Sequence, residues 1–298
     1  MTVNVKETLT QKLASLERMP SIPAILQPLL HYLDQPLDRL EVQNVVDLIS
    51  QDKSLAAQCL HMANSPLFGR WQPVDSVRGA VVALGMRRMR DIAMSCSVLN
   101  IMPMKQSGID PIVFWEHSLG CALVCRHFAR KIGFSKPEKA YLGGLLHDFG
   151  IIVNLWVIPN EFCAVVQLAR SRHIPLHEAE MELLGLTHCD SGQMLAERWQ
   201  LASDLSAVIH DHHQVDFAGT DRGLVALVSL ADLLCRMNGL GYGHLEERQV
   251  NFMEERAFSV LLEECPALQT LDWARLTFEL ENYMVEVHRL VATLYRAP

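Results

Sequence analysis

An all-α fold is predicted for this chain of 298 residues by three observations. Apolar residues recur with helical period in one segment after another, and turn-forming residues punctuate those segments. The few β-branched runs do not alternate with period two; "GIIVNLWVI" (150–158) is mostly apolar along its length. At the helix lengths common in globular proteins, the chain holds roughly a dozen helices or slightly more.

In chain order, "MPSIPAI" carries Pro20 and Pro23 between a first, polar helix and a second, more apolar one. "LEVQNVVDLISQD" sets Leu40, Val42, Val45, Val46 and Ile49 on one broad stripe. "ANSPLFGRWQPVDSV" (63–77) holds two Pro, a Gly and Asn-Ser and reads as a loop. "GMRRMRD" places Arg87, Arg88 and Arg90 after Gly85, open to a helix-turn-helix shape or to a solvated helix face. "NIMPMKQSGIDP" (100–111) reads as a linker, so an N-terminal helical part is expected over 1–105. A His-rich helical part with a C-terminal helical extension is expected over 106–298. "SKPE" (135–138) and "THCD" (187–190) have the spacing of capping boxes, in which the first side chain and the fourth each bond the other's backbone N–H. Helices are therefore expected to begin near Lys136 and His188, the first ending near Asp148 with Gly150 as terminator.

Composition narrows the function classes. The net charge is −8 at pH 7, which argues against phosphate-backbone binding as the main task, because that needs clustered cations. No run of about 18 uninterrupted apolar residues occurs, so no membrane span is expected. The start, "MTVNVKETLTQKL", lacks the cationic and apolar regions of a secretory signal. The eight Cys form no C-x-x-C pair and read as free thiols, so a cytoplasmic location is expected.

Several polar residues sit where apolar ones belong. His117, Cys121 and Cys125 fall at i, i+4, i+8 on one face of "FWEHSLGCALVCRHFARKIG", so His117 points inward. Taken alone it reads as a core histidine bonded to a carbonyl. His147 and Asp148 follow an apolar run in "YLGGLLHDFG". Asp232 is the sole charge between Leu224 and Cys235; buried there it must be paired, protonated or bound to a cation. In "VIHDHHQ", His212 or His213 faces the side of Leu205, Val208 and Ile209, and His210 is a weaker candidate. His188 lies just inside a helix start, where free N–H groups favour an anion, which weakens it as a cation ligand. Imidazole and carboxylate donors of this kind suit Fe, Mn, Zn or Mg, and a helical bundle can aim them inward from several helices.

The order His, His-Asp, distant Asp resembles the HD superfamily of metal-dependent phosphohydrolases, with His117, His147, Asp148 and Asp232 in its pattern. Over Met19 to His213 the chain looks closer to one branch, the HDOD domain of bacterial signalling proteins. The matching stretches run from "MPSIPAI" through "QDKSLAAQCLHMANSPLFG", "SVRGAVVALGMRRMRD" and "YLGGLLHDFG" to "VIHDHH", with "LVSLADLL" behind them. This resemblance implies a multi-helix HD-like bundle with an N-terminal helical subdomain, and a regulatory module without assigned hydrolase activity. The HD-GYP branch, which cleaves cyclic di-GMP, implies further metal ligands at His188, His212 and His213. That branch carries a Lys where this chain has Ile151 and a Glu where it has Val113. Its Gly-Tyr-Pro run is replaced by "QVDFAGT", and "GYG" (241–243) reads as a turn.

The function expected is signal transduction through protein contacts, with a signalling protein as partner and a divalent metal as candidate cofactor. No receiver, GGDEF or EAL segment fits in this length, so input is expected by contact. Phe68, Arg70 and Trp71 offer a binding hot spot, or else pack their loop onto the helices. The alternative is an active metal-dependent phosphohydrolase on a nucleotide or cyclic dinucleotide, with Asp148 catalytic.

Overall fold

The structure is a computed structural model and describes residues 11–13, 20–31, 42–68, 72–103, 108–217, 219, 221–247 and 250–296. Among them there is no strand. They form two compact units: Ile22–Ile101 with Glu279–Pro298, and Met1–Ser21 with Met102–Phe278.

The smaller unit holds α1 (Leu26–His31), α2 (Val42–Ser50), α3 (Lys53–Ala63), α4 (Val77–Leu84) and α5 (Met86–Val98). Val45, Val46 and Ile49 form the buried stripe of α2, while Leu40 lies outside the described residues. Asp52 caps α3 by accepting from the Ser54 and Leu55 amides, and Ser76 caps α4 by accepting from Gly79. Gly85 joins α4 to α5 at φ 85°, a conformation glycine adopts without strain. Phe68 is buried, and Arg88 donates to its carbonyl at 3.0 Å, so Phe68 packs the loop rather than offering a contact surface. Arg70 and Trp71 lie outside the described residues. Of the Arg group after Gly85, Arg87 is exposed and Arg88 half-buried, while Arg90 is buried against Asp91. The chain's last residues join this unit through side chains: Tyr295 donates to the Leu99 carbonyl at 2.9 Å, and His61 pairs with Thr293 at 2.8 Å. The helical extension expected after 106 is thus divided between the units.

The larger unit is built from α6 (Pro111–Lys131), α7 (Pro137–Leu146), α8 (Phe149–Val157), α9 (Pro159–Arg172), α10 (Leu176–Leu184), α11 (His188–Arg198), α12 (Ser203–Asp211), α13 (Arg222–Met237), α14 (Arg256–Glu264) and the first turns of α15 (Trp273–Arg296). Helix α6 packs along α7 and α13, and α8 packs along α11. Gly144 permits the first approach: a Cβ there would lie 2.7 Å from the Cys121 carbonyl. Trp115, Phe149 and Trp199 stack edge to face at 5.9–6.0 Å beside the helix junction that carries the His-Asp pair.

Two helix boundaries differ from expectation. Gly150 is not a terminator; it lies in the first turn of α8, where an added Cβ would be 1.7 Å from the His188 carbonyl. The Ser135–Glu138 box does not form, because Lys136 is the N-cap and Pro137 takes the first helical position. The most apolar window of Pro137–Val157 is hydrophobic enough to cross a membrane, but 94% of it is buried inside the unit and a break at His147–Asp148 divides it. All eight Cys are free thiols.

Candidate metal centre

Four imidazoles converge in the larger unit, each held by its Nδ1. His117 Nδ1 lies 2.6 Å from the Leu240 carbonyl, His147 Nδ1 2.9 Å from that of Gly144, and His212 Nδ1 3.1 Å from those of Val208 and Ile209. His188 Nδ1 lies 2.7 Å from the Glu180 carboxylate. These oxygens only accept, so each Nδ1 carries the proton and each Nε2 is left to face its neighbours. The Nε2 atoms approach in pairs, His117 to His147 at 3.2 Å and His188 to His212 at 3.3 Å.

Asp148 stands between the two pairs. Its Oδ2 is 3.0 Å from His147 Nε2 and 3.2 Å from His117 Nε2; its Oδ1 is 3.1 Å from His188 Nε2 and 3.4 Å from His212 Nε2. Asp232, on α13, brings Oδ1 to 3.4 Å from His117 Nε2. All six of these residues are buried. The position of Asp148 follows from local structure: α7 ends at Leu146 and α8 starts at Phe149, so the pair occupies the turn between them.

Burial opposes charge on every one of these groups, and the cluster overrides it unevenly. Burial would lower His117, but hydrogen bonds to Asp148 and Asp232 push it up to about 10. Burial likewise opposes His212, which Cys189 and Asp148 raise to about 10. Burial dominates at His147 and lowers it. Both Asp carboxyls are pushed well below the usual range in spite of burial, Asp148 by His147 and His188, Asp232 first by Arg236.

The arrangement fits a divalent metal on its donor chemistry. Imidazoles with Nδ1–H tied to carbonyl or carboxylate oxygens, and Nε2 atoms converging beside a shared carboxylate, are how proteins present metal ligands, a cation taking the place of any Nε2 proton. His117, His147, Asp148 and Asp232 gather in one half, and His188 and His212 meet Asp148 in the other. The ring of His213 is 4.1 Å from that of His212 but half-buried, and it stacks on His177 at 4.0 Å. His210 is exposed and paired with Asp211. The anion expected at the start of α11 is the Glu180 carboxylate, which accepts from the His188 amide at 2.9 Å and leaves that imidazole free to turn inward.

Two groups at the centre, Glu180 and Tyr242, escape sequence reasoning, while Arg236 is the ion-pair partner that a buried Asp232 calls for. Glu180 is fully buried, and Asn154 donates to it at 3.2 Å. Arg236 donates to both oxygens of Asp232 at 2.9 Å and to Glu246 at 2.5 Å. Tyr242 is no mere turn residue: its hydroxyl donates to Asp148 Oδ2 and its ring lies 4.8 Å from that of His117. The i, i+4 spacing of Asp232 and Arg236 is visible in the sequence; nothing there points from Tyr242 to Asp148.

The model of the HDOD domain family matches residues 19–215. An HDOD domain protein of unknown function from Geobacter sulfurreducens has a similar structure, with TM-score 0.86 and 28% identity over 98% of this chain and 99% of that one. A provisionally named phosphohydrolase from Shewanella amazonensis SB2B is similar at TM-score 0.71 and 24% identity, over 97% of this chain and 98% of its own. A provisionally named signal transduction protein from Marinobacter aquaeolei VT8 matches at TM-score 0.75 and 23% identity, over 99% of this chain and 62% of that one. These last two likenesses speak to fold alone. A curated relative in Treponema pallidum (strain Nichols), itself uncharacterized, is 24% identical over 77% of this chain. The chain spans about half the length of that relative, 45%.

Proposed function

The chain belongs to the HDOD domain family, and from that premise we propose that it is a regulatory protein of signal transduction, acting through contacts with a signalling partner, whose metal centre orders the helices and hydrolyses nothing. His117, His147, Asp148 and Asp232 hold the cation of one half, with Asp148 shared by His188 and His212 in the other. A cation there supplies Lewis-acid charge, but phosphoryl transfer also needs groups that hold the phosphate.

The observation that carries the reading is what surrounds the carboxylates. Ile151, at the position where the HD-GYP branch carries Lys, is fully buried. Arg236 is already committed to Asp232 and Glu246, and the Tyr242 hydroxyl is committed to Asp148. Losing one such charge-stabilising contact costs about 2.7–4 kcal/mol of transition-state energy, a factor of roughly 10²–10³ in rate. The shared carboxylate between two imidazole pairs favours a second reading, a metal-dependent phosphohydrolase. A phosphodiesterase assay on cyclic dinucleotides with Mn²⁺ or Fe²⁺ decides between them. We expect turnover no higher than in Asp148→Ala; robust turnover that disappears in that variant promotes the enzyme.

A further inference from the structure

We infer that Cys121 is a thiolate ligand of one half of the centre, so that this half selects a thiophilic divalent cation of the zinc type over magnesium or manganese. The inference rests on the metal-binding reading above and gives it a chemical identity.

Cys121 follows His117 by one helical turn on α6 and is fully buried. Its Sγ lies 3.6 Å from His117 Nε2, the nitrogen turned toward the centre. One ligand atom each from His117, Cys121, His147 and Asp232 can be chosen so that all lie within 4.8 Å of one another. From His117 Nε2 the separations are 3.2 Å to His147 Nε2, 3.4 Å to Asp232 Oδ1 and 3.6 Å to Sγ. A tetrahedral ion with nitrogen and oxygen at about 2.0–2.1 Å and sulfur at about 2.3 Å needs edges of about 3.3–3.6 Å. The three separations from His117 Nε2 therefore stand near the edge lengths of a tetrahedral site, and the remaining donor pairs lie within 4.8 Å.

Charge points the same way. Within this four-donor set Asp232 and a thiolate are the two anionic donors, enough to balance a divalent ion. Coordination replaces the S–H bond with an S–metal bond and releases the proton to solvent. Thiolate sulfur is a soft donor, which disfavours Mg²⁺ and Mn²⁺. The other nearby thiols are placed differently. Cys189 belongs to the other half, where it gathers with His188, His212 and His213 within 4.8 Å, and Cys235 hydrogen-bonds Cys121.

The test is cobalt substitution. Full-length protein is stripped with chelator, loaded with Co²⁺ and read by absorption. We expect tetrahedral visible bands together with a near-ultraviolet thiolate-to-cobalt charge-transfer band. Cys121→Ser should lose the charge-transfer band and keep the visible ones, while Cys189→Ser and Cys235→Ser keep both. Bound Co²⁺ without a charge-transfer band, or a band that survives Cys121→Ser, overturns the thiolate ligand and leaves the metal centre standing. Failure of the wild type to bind Co²⁺ at all overturns both. Should Cys121→Ser not fold, X-ray absorption on the zinc-loaded wild type answers the same question: a sulfur scatterer at about 2.3 Å supports the ligand, and a nitrogen/oxygen-only shell overturns it.

Discussion

Glu180 shows how much of the centre depends on residues that touch no metal. Its carboxylate fixes the His188 imidazole through Nδ1 and the start of α11 through the His188 amide. Removing such an anchoring partner typically weakens metal affinity about 10–100-fold. We predict that Glu180→Gln, which keeps the shape and loses the charge, lowers Co²⁺ or Zn²⁺ affinity about tenfold in a competition titration. Unchanged affinity would mean that His188 does not hold the cation. At this scale the sequence was readable where a polar residue interrupts an apolar stripe, as His117 does on α6 and Asp232 on α13. It was unreadable where the contact is remote in the chain and the residue sits in no periodic element. Tyr242 lies between two glycines and meets Asp148 94 residues away.

Among the elements, two spacings that look alike in the sequence behave differently. In "THCD" the reciprocal box forms: Thr187 accepts from the backbone of Asp190, whose carboxylate accepts from the Thr187 amide at 2.7 Å. In "SKPE" a proline at the third place takes the first helical position, which moves Glu138 one residue too early to reach back, and Glu138 lies beside Arg130 instead. Thr187→Ala should therefore cost about 0.5–2 kcal/mol in chemical denaturation. Ser135→Ala should stay within about 0.5 kcal/mol, as a surface change does. Equal losses would contradict the assignment. The end of α7 near Asp148 was legible, and the helix stops at Leu146; the role of Gly150 was hidden, because a glycine there suits either a terminator or a close crossing. The crossing of α8 on α11, where Gly150 meets the His188 carbonyl, is what requires glycine.

For the molecule as a whole, the net charge is −8 at pH 7. Helical content was legible from periodicity. The grouping of Glu279–Pro298 with Ile22–Ile101 was not, since an amphipathic helix carries no mark of which apolar face it will cover. A metal that binds the folded chain and not the unfolded one adds stability by mass action, about 2.7 kcal/mol at a hundredfold excess over Kd. Saturating Zn²⁺ should thus raise the melting temperature of the chelated wild type and leave that of Asp148→Ala unmoved. An equal rise in both would place the cation elsewhere.

The account turns on Asp148 and its four imidazoles holding a cation, and elemental analysis of purified full-length protein beside a folded His147→Ala variant tests that most directly. His147 has its Nδ1 fixed by Gly144 and its Nε2 3.0 Å from Asp148, so its loss opens the first half of the centre without disturbing the anchors of the second. The prediction is a stoichiometric divalent metal in the wild type and a marked fall in the variant. A wild type purified without metal from metal-replete medium, or equal content in the two proteins, would contradict it.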